Sequence, residues 1–314
     1  MARIIYLAYG VPRTGGDFVN IEHVCALNAM GFDATLAYFD DGVDPSQIAC
    51  RSAHFNDVRY KPDDVVVCFE DNREALERAA RLSCRKVLHN QNTWLLMQAL
   101  QSLEEIGAMG FESVICPSRY GIEMMQEAGY DGPVELISPY VPDFFAPQEK
   151  SLAIAWSPRK RPLEAAYVRT AFRSKYPQHR DVPWILIQHM PREEVGRVLG
   201  TAAIYASFAK HESVCLSVLE AMRSGCIVVG DHGGAGLEYA DVTNGLWLRE
   251  HEYELFADAL NHAVEIFRCG GADNAFSLAA RKTARRYSES DFGAMLERYW
   301  SGHGLSRSGR AIHA

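Results

Sequence analysis

Short apolar runs alternate with amphipathic stretches along most of the chain, and this alternation restricts the fold more than any other feature. The runs ARIIYLAY, DATLAYF, DVVVCF, RKVLHN, SVICPS and VELIS are separated by stretches such as FVNIEHVCALNAM and NREALERAARL. Runs that are apolar at nearly every residue read as strands buried on both faces, and strands joined by helices make a parallel sheet covered on both sides. Around residues 139–150 the text SPYVPDFFAPQEK carries three prolines and no periodicity, which reads as a linker. A second series follows: SLAIAWS, PWILIQH, AIYASF, CIVVGD and GLWLRE as strands, with helices near 162–175, 192–200, 215–224 and 252–268. The expectation is therefore an α/β chain of two doubly wound domains, 1–145 and 146–288, with further helical stretches at 274–287 and 290–300 and a frayed tail at 302–314.

Composition narrows the function. The 314 residues are 48% hydrophobic and 23% charged, a globular balance for two ordinary domains. A formal net charge of −8 argues against a nucleic-acid binder held by phosphate contacts. No apolar run reaches membrane-spanning length, and MARIIYLAYGVPRTGG enters a strand without a cleavable signal pattern, so the expected location is the cytoplasm. Cys25, Cys50, Cys68, Cys84, Cys116, Cys215, Cys226 and Cys269 are scattered singly, without zinc-site spacing, and read as reduced thiols.

The stretch KHESVCLSVLEAMRSGCIVVGDHGGAGLEY holds the informative pair, Glu212 and Glu220. A helix over 215–223, stopped at Gly225, puts Glu212 before the helix and Glu220 within it. Even on one continuous helix, their eight-residue offset at about 1.5 Å per residue would separate the backbones by roughly 12 Å. A retaining glycosidase needs its two carboxylates about 5 to 5.5 Å apart, so the two acids suit different parts of one long ligand. Taken alone, they suit a helix flank and a solvated loop better, the usual place of glutamate.

In context, Phe208 to Gly245 resembles the retaining, nucleotide-sugar-dependent glycosyltransferases of family 4. Glu212, seven residues, Glu220, then Ala221, Met222, Ser224 and Gly225 fill that signature in register, followed by Val228, Val229, Gly233, Gly234, Glu238, Asn244 and Gly245. The resemblance implies the GT-B fold: two Rossmann-like domains facing a central cleft, with the last helix, about 289–301, crossing back to complete the first. It implies that Glu212 faces the donor sugar and Glu220 the ribose hydroxyls. The chain departs from the family just after Glu212, where Ser213, Val214 and Cys215 replace the glycines of many members, so the donor sugar stays open.

An anionic diphosphate requires local cations in so acidic a chain. Pro158-Arg159-Lys160-Arg161 follows SLAIAWS at the carboxyl end of a strand, where doubly wound sheets bind ligands. By the resemblance Arg159 and Lys160 take the phosphates; a solvated basic turn is the alternative. Gly15 and Gly16 lie in the first strand-to-helix loop, with Asp17 as expected N-cap, and the family sets such a loop against donor phosphate and acceptor. Gly233 and Gly234 form a turn that the family uses near the donor sugar. His89, Asn90 and Gln91 end a strand on the expected cleft rim and suit acceptor hydroxyls, or cap the next helix.

The reading is a glycosyltransferase that moves a sugar from a nucleoside-diphosphate sugar to a hydroxyl acceptor with retention. No metal or other cofactor is expected, because neither His-Glu-x-x-His nor Asp-x-Asp occurs. The acceptor class is open among glycan, lipid-linked and small-molecule hydroxyls, and the resemblance allows weak peripheral contact with the inner membrane face. The alternatives are a nucleotide-sugar epimerase, a catalytically silent carbohydrate-binding relative, and an NAD-dependent oxidoreductase using Asp40 and Asp41. The missing G-x-G-x-x-G weakens the last.

Overall fold

The computed structural model describes residues 2–12 and 14–305 and divides them into two compact units, one containing the chain up to Pro139 and from Ser290 onward, the other Tyr140–Glu289. The first unit holds β1 (Ile4–Ala8), β2 (Ala34–Tyr38), β3 (Ser52–His54), β4 (Val65–Phe69), β5 (Arg85–His89), β6 (Ser113–Cys116) and β7 (Val134–Leu136), with α1 (Gly15–Ala29), α2 (Arg73–Ala80), α3 (Thr93–Ala99), α4 (Glu104–Ala108) and α5 (Arg119–Glu127). The second holds β8 (Ser151–Trp156), β9 (Trp184–Leu186), β10 (Ala202–Glu212), β11 (Ile227–Gly234) and β12 (Leu246–Trp247), with α6 (Pro162–Lys175), α7 (Arg192–Thr201), α8 (Leu216–Arg223), α9 (Tyr253–Gly270) and α10 (Ala275–Ala284). The last helix, α11 (Glu289–Gly302), belongs with the first unit.

Both sheets are parallel, and each is doubly wound. Strand order in the first is β3-β2-β1-β4-β5-β6-β7, so the chain reverses direction across the sheet between β1 and β4. In the second the order is β12-β11-β10-β8-β9, with the reversal at β8 and β10. Alternation along β8 shows why two layers of helix are needed. Ala153 and Ala155 join one core with residues of α7, α8 and α10, whereas Ile154 and Trp156 join another with residues of α6 and α9.

Two boundary expectations change. The proline-rich stretch after Pro139 is part of the second unit, because Val141 and Phe145 are buried in its core and the Val141 amide donates to the Tyr287 carbonyl. At the other end, Phe292, Leu296 and Trp300 of α11 are buried, Trp300 meets Tyr6 edge-on, and Ser113 shares a 2.8 Å hydrogen bond with Tyr299. The order continues just past the helix, where His303 packs on Tyr299 and its carbonyl accepts from Arg85. Of the expected frayed tail, residues 306–314 lie outside the described residues.

Candidate functional site

Three adjacent strand ends of the second sheet bring the predicted donor residues together. β8 leads into Arg159 and Lys160, β10 ends on Glu212, and β11 ends on Gly233 and Gly234. The Lys160 ammonium donates to Glu212 Oε1 at 2.7 Å and to the Lys210 carbonyl at 2.9 Å. Arg159 beside it is exposed. Burial raises the Glu212 carboxyl above its ordinary range, opposed first by Lys160 and then by Arg159 and His211. The result is a largely buried carboxylate held by a cation that solvent still reaches.

A bulge aims Glu212. The β10–β11 register shifts between Ala209 and Glu212, and His211 inside the irregularity has φ 53°, rarely adopted by a non-glycine residue. Glu212 then pairs in register with Gly234. Gly233 has φ 72°, and a Cβ there would lie 2.8 Å from Glu212 Cγ, so glycine is required by both backbone and neighbour. The glycines are therefore not a loose turn: they finish β11 ahead of a single 3-10 turn, Ala235–Glu238. Their amides are engaged locally, Gly233 to Asp231 Oδ1 at 2.7 Å and Gly234 to His232 Nδ1 at 3.2 Å.

Glu220 lies on α8, in keeping with the expected helix, and its carboxylate faces Arg192 at 3.5 Å. Arg192 is the first residue of α7 and packs near the rings of Phe144 and Phe145. Both Glu212 and Glu220 add to the burial that pushes the Tyr205 phenol up, which puts the two acids in range of one buried ring. Cys215 is the N-cap of α8 without a side-chain cap bond, and burial pushes its thiol up to about 12.

Arg161 separates from its neighbours. Only 4% exposed, its guanidinium donates to the Ala209 carbonyl at 3.2 Å, Tyr253 Oη at 2.8 Å, Glu250 Oε1 at 2.9 Å and Asp231 Oδ2 at 3.4 Å. Every nitrogen of the fork is thus committed within the protein.

In the first unit the loops after β1, β4 and β5 converge at the strand reversal. Thr14, not Asp17, is the N-cap of α1; Asp17 occupies the third helical position and completes a capping box with it. Gly16 lies against Gln91, whose Oε1 would be 2.9 Å from an added Cβ. His89 and Asn90 do not reach an exposed rim. His89 is 1% exposed, bonded through Nδ1 to Asn20 and packed on Tyr6 and His23, and burial lowers its pKa to about 3. Asn90 is fully buried, donating to Thr93, Cys116 and Met125, while Asn92 caps α3. Of the three residues expected on the acceptor side, Gln91 alone is partly exposed.

Sequence reasoning missed Glu70, Asp71, Asp231 and Arg192. Glu70 follows β4, is 4% exposed, accepts from the Asn92 amide at 2.7 Å, and burial pushes its carboxyl up to about 8. Asp71 accepts from the Tyr9 hydroxyl at 2.8 Å, and burial raises its carboxyl also. Two acids straight after VVVCF were the available signal. An arginine at a helix N-terminus opposes the helix dipole, which was the signal at Arg192.

Among the described residues no helix is long and apolar enough to cross a membrane, and no group of three or more His, Cys, Asp or Glu side chains could hold a metal ion. Residues 183–282 match the family described as Glycosyl transferases group 1. An alpha-1,6-glucosyltransferase of Actinobacillus pleuropneumoniae serotype 7 (strain AP76) is 32% identical over 301 residues, 92% of this chain and 91% of that protein. Among solved structures, Anabaena Alr3699/HepE in complex with UDP-glucose is similar with a TM-score of 0.72 at 14% identity, covering 96% of this chain and 100% of that one. Sucrose-phosphate synthase from Thermosynechococcus elongatus gives 0.70 at 12%, covering 96% and 99%. With two doubly wound units and one-third identity to a glucosyltransferase over nearly its whole length, the chain belongs to the group 1 glycosyltransferases of the GT-B fold.

Proposed function

We propose that this enzyme transfers glucose from UDP-glucose to a saccharide hydroxyl, with retention at the anomeric carbon, in the manner of family 4. The contact that carries the reading is Lys160 with Glu212 at 2.7 Å beside Gly233, a cation and a desolvated carboxylate at the carboxyl ends of the central strands. The named activity of the A. pleuropneumoniae relative supports glucose, and the UDP and UDP-glucose complexes of Alr3699/HepE support the donor. The family assignment leaves no support for the oxidoreductase reading of Asp40 and Asp41.

Arg159 and Lys160 take the diphosphate and stabilise the charge that grows on it as the glycosidic bond breaks. Glu212, whose side chain lies against the bare Cα of Gly233, positions the sugar. Glu220, steered by Arg192, takes the ribose hydroxyls. Gly15, Gly16 and Gln91 fit the acceptor side better than a phosphate, because Asp17 adjoins the glycines and Asp71 follows the neighbouring strand end. The acceptor hydroxyl attacks from the face the diphosphate leaves, and the departing oxygen takes its proton.

The test is turnover of UDP-glucose with gluco-oligosaccharide acceptors, with the new linkage read by proton NMR. An α-linked product with UDP released in equal amount is expected; a β-linked product overturns retention, and no UDP release from UDP-glucose overturns the donor.

A further inference from the structure

We infer that Arg161 is a positioning residue for sugar transfer, holding in mutual register the three strand ends that carry Lys160, Glu212 and Gly233. The inference rests on the reading that those three residues form the donor site. The geometry is direct. Arg161 follows Lys160 in the chain, and its amide donates to the Pro158 carbonyl at 3.0 Å, closing the loop that carries Arg159 and Lys160. Its Nε donates to the Ala209 carbonyl, where the bulge that aims Glu212 begins. Its Nη2 donates to Asp231 Oδ2, while the other oxygen of that carboxylate holds the Gly233 amide. Tyr253 and Glu250 complete the fork and fix it to the start of α9 and the loop before it.

Two features separate this role from phosphate binding. The guanidinium is buried, and the charges facing it are Asp231, Glu250 and, at 3.8 Å, Glu164, so it is already compensated by carboxylates. Of the three cations in this loop, Arg159 and Lys160 are the two that solvent reaches. Only arginine suits the hub, since its planar fork presents five donors in fixed directions and lysine presents three on one atom.

The test compares Arg161→Lys, Lys160→Ala and the double variant for UDP release from UDP-glucose, below the melting temperature of each protein. Arg161→Lys is expected to slow turnover roughly 10- to 100-fold, the scale of misplacing a reacting group by about 1 Å. The double variant should be no more than about twofold slower than Lys160→Ala, because both changes disable one unit. Wild-type turnover in folded Arg161→Lys, or losses that multiply in the double variant, overturns the positioning role. Lys160→Ala with wild-type turnover overturns the donor-site reading instead. Should Arg161→Lys fail to fold, Tyr253→Phe removes one bond of the fork and leaves its charge; a smaller loss, again absorbed in the Lys160→Ala background, supports the inference, and an unchanged rate overturns it.

Discussion

Glu212 carries most of the consequence at the scale of single residues. Its replacement by alanine is expected to lower turnover roughly 10²- to 10³-fold, as for other charge-stabilising groups, while UDP affinity by calorimetry changes less than about threefold. Glu70 gives a prediction independent of catalysis. Its folded pKa, about 8, stands above the ordinary 4.5, so its contribution to stability is fully present below pH 4.5 and is lost as pH rises through about 8. Glu70→Gln can still accept from the Asn92 amide but does not ionise. Urea unfolding should therefore show the variant more stable than wild type at about pH 9, by on the order of a few kcal/mol, with the gap closing toward pH 5. The buried His89, lowered to about 3, acts in the opposite direction, its contribution being lost as pH falls from about 6.5 toward 3. Glu212 and Lys160 could be picked out as candidates from the signature around Glu212 and the basic run after SLAIAWS, and the structure sets them 2.7 Å apart. His89 misled because a strand end was taken for a rim: Tyr6 and His23 pack on it, α11 backs them with Trp300 on Tyr6 and Phe292 on His23, and no residue near 89 announces a helix some two hundred residues away.

At the scale of elements, the alternation of buried strands and helices was readable because its two periods differ. What could not be read was where strands stop. AIYASF continues to Glu212 through a bulge, and CIVVGD continues to Gly234, because pairing between β10 and β11 holds polar residues in the sheet that local pattern assigns to loops. Gly233→Ala tests that junction. The added methyl meets Glu212 at a backbone angle alanine resists, so turnover should fall at least about tenfold, with a stability loss of roughly 1 kcal/mol or more by chemical denaturation. A milder change addresses the opening of α1: Thr14→Ala removes half the capping box and should cost about 1 kcal/mol in the same measurement.

For the molecule as a whole, UDP should raise stability by about 2.7 kcal/mol at a hundred times its dissociation constant, read as a shift in thermal unfolding. If Arg159 and Lys160 supply the positive charge as proposed, turnover should survive EDTA; loss of activity restored by a divalent ion would count against their role. The division into two α/β units followed from the repeated pattern, whereas the allegiance of Tyr140–Phe145 did not, since it depends on burial against distant partners. The return of α11 to the first unit has a consequence for how the protein is made. The second unit, Tyr140–Glu289, has all its residues in one continuous stretch and can close as soon as it leaves the ribosome. The first cannot bury Tyr6 against Trp300 until the final helix is synthesised. At about 5–20 residues per second its sheet waits roughly ten to thirty seconds after Pro139 for that cover, so of the two units the one begun first is completed second.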